Sequence, residues 1–148
     1  MKLNLAFVAA VFGVLFATVK AQSINIGFPP DGTSVTPGSN LTVEIDRPDT
    51  LTGSIEVAVV IAVLSCSRFS FGCIPVDQGM GTVLYNGGYN PQFHSTAPIG
   101  KPPHQNFTVT IPSNIPAGKA QLGVAHITLI GALNAPTLET RNITLNVV

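Results

Sequence analysis

Four segments of this chain alternate apolar and polar residues with a period of two, which constrains its fold more than any other feature. They span residues 24–28, 41–45, 107–111 and 143–147. Successive side chains of a β-strand point to opposite faces, so each segment predicts a strand with one buried and one solvated face. β-Branched residues, which favour strands, are frequent in all four.

Two longer runs, 55–64 and 120–133, are apolar at most positions. They predict central strands that are buried on both faces, or strands whose outer face is covered by a loop. A helix over 55–64 is disfavoured, because the run is rich in valine and isoleucine and has no capping box. A shorter strand is predicted near 82–85.

Clusters of proline, glycine and asparagine separate these segments, at 29–32, 37–40, 86–88 and 112–118. About seven strands in one domain predict an all-β fold, an immunoglobulin-like β-sandwich. The chain has no tryptophan, and its two cysteines are too close in sequence to bridge two sheets. A domain of the antibody type is therefore excluded.

Residues 1–21 have the pattern of a secretory signal peptide. A positively charged start precedes an apolar stretch over 5–19, and Val19 and Ala21 place small residues at a cleavage site. A membrane anchor would need a longer apolar core. Cleavage leaves a secreted single domain, 22–148, with five basic and seven acidic residues. Such a chain has no basic face for nucleic acid or for an anionic membrane.

Cys66 and Cys73 are the only two cysteines of the chain. In an exported protein, two cysteines at short range most often form a disulfide. A zinc site needs about four ligands, and a redox pair more usually has the Cys-x-x-Cys spacing. We therefore predict a Cys66–Cys73 disulfide, whose small ring would stabilise the fold by only about 2–3 kcal/mol.

Three Asn-x-Thr sequons begin at Asn40, Asn106 and Asn142 and are candidate N-glycosylation sites. Asn106 and Asn142 each precede a core position of an alternating strand, so their side chains should face solvent. Asn40 lies at the entrance of a strand. All three acceptors are predicted to be exposed, as glycosylation requires.

The ring closed by the two cysteines is a candidate contact surface. If it is extended, Phe69 and Phe71 point to the same side, with Arg68 beside them. Aromatic residues and arginine are enriched at protein interfaces. The alternative is that one or both phenylalanines fold back onto the core.

A second candidate contact surface is the long loop 86–105, which is rich in proline and glycine. Loops of this length in compact domains are often functional. Tyr89 and Phe93 would stack on a sugar or on a protein partner, or would plug the end of the sandwich.

The histidines show no metal-ligand spacing. They would form a metal site only if the fold gathered all three, His94, His104 and His126. A copper oxygenase of the β-sandwich type would begin with a ligating histidine, where the mature chain has Gln22. We predict no metal and no cofactor.

The carboxylates do not form an evident catalytic pair. Four of them lie on or beside predicted strands and are interpreted as structural: Glu44, Asp46, Glu56 and Glu139. The chain has no Gly-x-Ser-x-Gly motif and no phosphate-binding glycine loop before a helix. We therefore expect a binding protein rather than an enzyme.

A resemblance to a known family lies in residues 107–148, FTVTIPSNIPAGKAQLGVAHITLIGALNAPTLETRNITLNVV. The pattern is a strand, a proline-rich turn ending in Ala-Gly, an apolar strand with Leu-Ile-Gly-Ala, and a closing strand with Asn-x-Thr. It resembles the necrosis-inducing secreted effectors, small secreted proteins of fungi. The run 54–63 is similar to the earlier apolar strand of that family.

The resemblance implies a fungal effector that binds host proteins, namely receptor-associated immune kinases, outside or inside the host cell. It also implies suppression of plant pattern-triggered immunity, and cell death on overexpression in plant tissue. The alternative is an extracellular module that binds a cell-wall glycan or a wall protein without catalysis.

Overall fold

A computed structural model describes residues 23–49 and 52–148, and this part of the chain contains eight β-strands. The strands are β1 (Asn25–Phe28), β2 (Thr33–Val35), β3 (Asn40–Asp46), β4 (Ser54–Ser65), β5 (Thr82–Gly87), β6 (His104–Thr110), β7 (Gly118–Ile130) and β8 (Ala135–Val147). A short 3₁₀ turn, Cys66–Arg68, follows β4. The predicted signal peptide lies outside the described residues.

The strands form two sheets that pack face to face. The smaller sheet has the order β1-β3-β6, and the larger has the order β2-β8-β7-β4-β5. Neighbouring strands are antiparallel except β2 and β8, which are parallel. The predicted all-β, immunoglobulin-like sandwich is confirmed, with its connections crossing between the two layers.

The core consists of alternate residues from the facing strands, as the period of two predicts. β3 contributes Val43 and Ile45, and β7 contributes Leu122 and Val124 from the opposite sheet. The residues between them point outward, because successive side chains of a strand alternate. Glu44 and Asp46 therefore lie on the outer face of the smaller sheet.

Several elements differ from the sequence prediction: β8 begins at Ala135 rather than at 143, and β6 begins at His104, inside the predicted loop 86–105. The strand β2 was not predicted, because its three residues are too few to show a period. The predicted strand 120–133 ran too far, since β7 ends at Ile130 and a tight turn follows. In that turn Gly131 and Asn134 have φ angles of 72° and 52°. This left-handed conformation favours glycine and asparagine and ends a strand.

Half of the outer face of the larger sheet is covered by the chain itself. After the 3₁₀ turn, residues 69–81 fold back across β4 and β7. Val76 is buried against Gly123, where a Cβ atom would lie 3.1 Å from its Cγ1. Gln121 donates a hydrogen bond from Nε2 to the carbonyl of Ile74 at 3.1 Å. In this half the long apolar strands are buried on both faces, as predicted.

The predicted disulfide is present, and it closes the ring from which this covering segment begins. Changing both Cys66 and Cys73 to serine should lower the free energy of unfolding by about 2–3 kcal/mol, because a small ring restricts the unfolded chain only modestly. Urea denaturation followed by far-ultraviolet circular dichroism measures this. A loss above about 5 kcal/mol would show instead that the disulfide holds the whole domain together.

Candidate functional site

The other half of the outer face of the larger sheet is apolar and uncovered. Strand register places Ile55 opposite Leu129, and Ile127 opposite Leu138, across three neighbouring strands. Ile55 is 53% exposed and Leu138 is 66% exposed. We call the large exposed side chains of this surface the apolar face: Ile55, Val57, Ile127, Leu133 and Leu138.

The turn between β7 and β8 extends the apolar face. Leu133 at its tip is 95% exposed. Ile55, Leu129 and Ala132 line one shallow cleft between this turn and the start of β4. Exposed apolar patches of this kind are candidate interaction sites.

The part of the chain that forms the apolar face has very few charged residues. Residues 52–60 and 125–138 contain one acidic residue, Glu56, and no lysine or arginine. Glu56 points inward, where it contacts the buried His126. Depletion of charge is typical of the centre of a protein–protein interface.

The disulfide ring presents a smaller aromatic cluster. Its first residues form the 3₁₀ turn rather than an extended strand. The rings of Phe69 and Phe71 nevertheless contact each other, with centroids 5.6 Å apart. Phe71 is 75% exposed, Arg68 is exposed, and Phe69 is half-buried. Their role as a contact surface stays a prediction.

Tyr89 is not part of an exposed contact surface, contrary to the prediction. Its side chain is buried, and its hydroxyl donates a hydrogen bond to the carbonyl of Ile45 at 3.0 Å. Its ring meets the ring of His126 edge-on, with centroids 5.2 Å apart. Tyr89 therefore packs into the core between the sheets, whereas Phe93 in the same loop is exposed.

The two predicted contact surfaces lie at opposite ends of the sandwich. The disulfide ring follows the last residue of β4. The loop between β5 and β6 instead joins the chain near the first residues of β4, since the amide of Arg47 bonds to the carbonyl of Pro103 and Arg47 pairs with Glu56. A single partner could contact both Phe71 and Phe93 only by spanning the whole domain.

The three sequon asparagines are all exposed, as expected. Asn40 and Asn106 lie on the outer face of the smaller sheet, opposite Thr110 and Glu44 respectively. Asn142 lies on the outer face of the larger sheet, opposite Gly123. Their glycosylation stays a prediction.

The histidines are not gathered into one site. The rings of His94 and His104 lie side by side, with centroids 4.6 Å apart. His126 is fully buried between the sheets. Its Nδ1 is 2.9 Å from Oε1 of Glu139, and its Nε2 is 2.6 Å from Oε2 of Glu56. The second contact has the distance of an ion pair without the alignment of a hydrogen bond.

A carboxylate beside each ring nitrogen favours the protonated form of His126. Burial alone would lower its pKa, but Glu139 and Glu56 outweigh that effect and raise the pKa above 6.5. Burial alone would raise the pKa of Glu56, but the neighbouring His126 and the hydrogen bonds from Ser54 and Arg47 lower it from 4.5 to about 2. The pKa of Glu139 is lowered as well, against its burial, mainly by His126. We call Glu56, His126 and Glu139 the buried ion triad.

Sequence reasoning missed the apolar face and the buried ion triad. The run 55–64 predicts a strand that is buried on both faces or covered by a loop. No local pattern shows that residues 69–81 cover only half of its outer face. Glu56, His126 and Glu139 come from three different strands, so only the strand pairing brings them together.

A family model, that of the Nis1 family, matches residues 19–146. Its name fits the necrosis-inducing secreted effectors that residues 107–148 resemble. The family and the disulfide both indicate secretion. No curated protein matches the chain. In residues 23–49 and 52–148 there is no helix long and apolar enough to cross a membrane.

The buried ion triad predicts a stability maximum at mildly acidic pH. The pKa of His126 is raised, so its contribution is complete below pH 6.5 and is lost as the pH rises through the higher folded value. The pKa of Glu56 is lowered, so its contribution is complete above pH 4.5 and is lost as the pH falls towards about 2. Urea midpoints across the pH range measure both limbs.

His126→Gln should remove the alkaline limb and destabilise the protein by about 1–3 kcal/mol at pH 6, because Glu56 and Glu139 lose one cationic partner but keep Arg47 and Arg141. The exposed His94 supplies the matched control, His94→Gln, which should change stability by less than about 0.5 kcal/mol. An unchanged alkaline limb in His126→Gln would contradict the assignment.

Proposed function

The chain belongs to the Nis1 family of effector-like, necrosis-inducing proteins, and from this premise we propose that it is a secreted fungal effector that docks on host proteins. The apolar face is the docking surface. It suppresses signalling by occupying a surface of its partner, and no bond is made or broken.

The observation that carries this proposal is the uncovered half of the larger sheet. Burial of apolar area is the main favourable term in protein association, at about 25 cal/mol per Å². Leu133 and Leu138 offer most of their side chains to a partner. Leu138 lies on β8, which pairs with β7 along its whole length, so this part of the surface is held in place before binding and less ordering entropy is lost.

The family resemblance supplies the class of partner. It implies receptor-associated kinases of the plant immune system, whose inhibition would suppress pattern-triggered immunity. Cell death on overexpression is then a consequence of the same binding. The uncharged apolar face fits an apolar patch on such a kinase better than its charged nucleotide site, because burying an unpaired charge is costly.

The titratable groups between the sheets support binding without catalysis. His126 is fully buried, and both of its ring nitrogens already face carboxylates. A general base must reach a substrate proton to act. His126 is closed to substrate, and the buried ion triad is explained by its structural role.

A cell-wall glycan-binding module is the second candidate. Phe71 and Phe93 are both largely exposed, and exposed rings can stack on sugars. They lie at opposite ends of the sandwich, so they do not form a row along which a polysaccharide would lie. Retention on insoluble chitin, glucan or cellulose would favour this alternative.

Substitution of one exposed side chain at each candidate surface separates these functions. Leu138→Glu places a charge in the apolar face, whereas Phe71→Glu and Phe93→Glu place the same charge at either end. Since all three positions are exposed, each variant should fold with the stability of the parent within about 0.5 kcal/mol. The measurement is suppression of the oxidative burst in leaf tissue, at matched protein levels.

We expect Leu138→Glu to lose suppression and the other two variants to keep it. Affinity purification from the same tissue should recover a kinase with the parent protein and much less with Leu138→Glu. Full suppression by Leu138→Glu would exclude the apolar face as the docking surface. Loss in Phe71→Glu or Phe93→Glu alone would place the contact at that end.

A further inference from the structure

A second polar cluster lies on the outer face of the smaller sheet, away from the apolar face. Glu44 and Asp46 are two residues apart on β3, so both point outward. His104, the first residue of β6, pairs directly with Asp46. One ligand atom from each of the three residues lies within 4.8 Å of the other two.

The orientation of His104 is fixed by the backbone. Its side chain is 7% exposed, and its Nδ1 lies 2.9 Å from the carbonyl oxygen of Pro102. A carbonyl only accepts hydrogen bonds, so Nδ1 carries the proton of the neutral ring. In that neutral form Nε2 presents a lone pair, and it lies 3.6 Å from Oε2 of Glu44, beyond hydrogen-bond distance. A metal ion between Nε2 and the carboxylate of Glu44 would take both as ligands.

The carboxylates converge because the neighbouring strand leaves room for them. A Cβ atom at Gly27 on β1 would lie 2.6 Å from Oδ2 of Asp46 and 2.6 Å from Oε1 of Glu44. Any larger residue at this position would push the two carboxylates apart. The glycine thus forms the floor of the cluster.

The ammonium of Lys101 now lies between the carboxylates. Its Nζ is 2.6 Å from Oε1 of Glu44 and 2.8 Å from Oδ1 of Asp46. Burial alone would lower the pKa of Lys101, but its bonds to Asp46 and Glu44 raise it. The buried Oδ1 of Asp46 still has no aligned hydrogen bond. The ammonium donates its aligned hydrogen bond to Oδ2 of Asp46 at 2.8 Å, so Oδ1 has only an ion pair with it.

We propose that Glu44, Asp46 and His104 form a binding site for a divalent transition metal such as Zn²⁺, which displaces the ammonium of Lys101. One imidazole and two carboxylates are ligands that Zn²⁺ accepts. A histidine whose other ring nitrogen donates to a backbone carbonyl is the usual arrangement around a bound metal. Lys101 belongs to an exposed loop and turns towards solvent when it leaves.

Isothermal titration of the secreted, disulfide-bonded protein with Zn²⁺ tests the site. We expect one ion per chain for the parent. Lys101→Met should bind at least about tenfold more tightly, because no ammonium then competes for the same oxygens. His104→Gln should lose binding. The adjacent histidine supplies the control, His94→Gln, which should keep the parent affinity within about twofold, since His94 contributes no ligand to the cluster.

A second measurement does not depend on the folding of the variants. Zn²⁺ should shift the nitrogen resonance of Nε2 in His104 of the parent protein and leave the resonances of His126 unchanged. Absence of binding by the parent would overturn the proposal, as would full binding by His104→Gln. Binding by Lys101→Met alone would also overturn it for the native chain, by showing that the lysine holds the site permanently. None of these outcomes bears on the apolar face.

Discussion

The strands β4 and β7 are apolar on both faces, and this one constraint shapes the rest of the molecule. Their inner faces pack in the sandwich, so their outer faces need a second cover. Residues 69–81 cover one half, with Val76 and Ile74 against β7. The other half is left open at Ile55 and Leu138. This uncovered apolar sheet face is the surface on which we propose that a partner docks.

The two sheets differ in the chemistry of their outer faces. The larger sheet presents the apolar face, whereas the smaller presents carboxylates, two sequon asparagines and His104. Glycans at Asn40 and Asn106 would stand on the side opposite the apolar face. The proposed docking surface and the proposed metal site therefore lie on different surfaces of one small domain, and each is formed by the outward residues of its own strands.

The fold was largely predictable from the sequence because it depends on local alternation. The alternation around Val43 and Ile45 alone predicts which face of β3 is buried, without reference to the rest of the chain. The role of Tyr89 was not predictable in this way, since its burial depends on a carbonyl 44 residues away. The same holds for Lys101, which lies 55 residues from Asp46 along the chain. Such contacts are properties of the strand order, which no single segment encodes.

The buried ion triad also selects among strand registers that are equally compatible with the apolar pattern. A slip of β4 or β8 by two residues against β7 would keep every apolar side chain on its proper face. The same slip would carry Glu56 or Glu139 about 6–7 Å from His126 and strand a buried charge. The three charged residues thus fix the register of β4, β7 and β8. Electrostatics excludes slipped pairings that would satisfy the apolar pattern equally well.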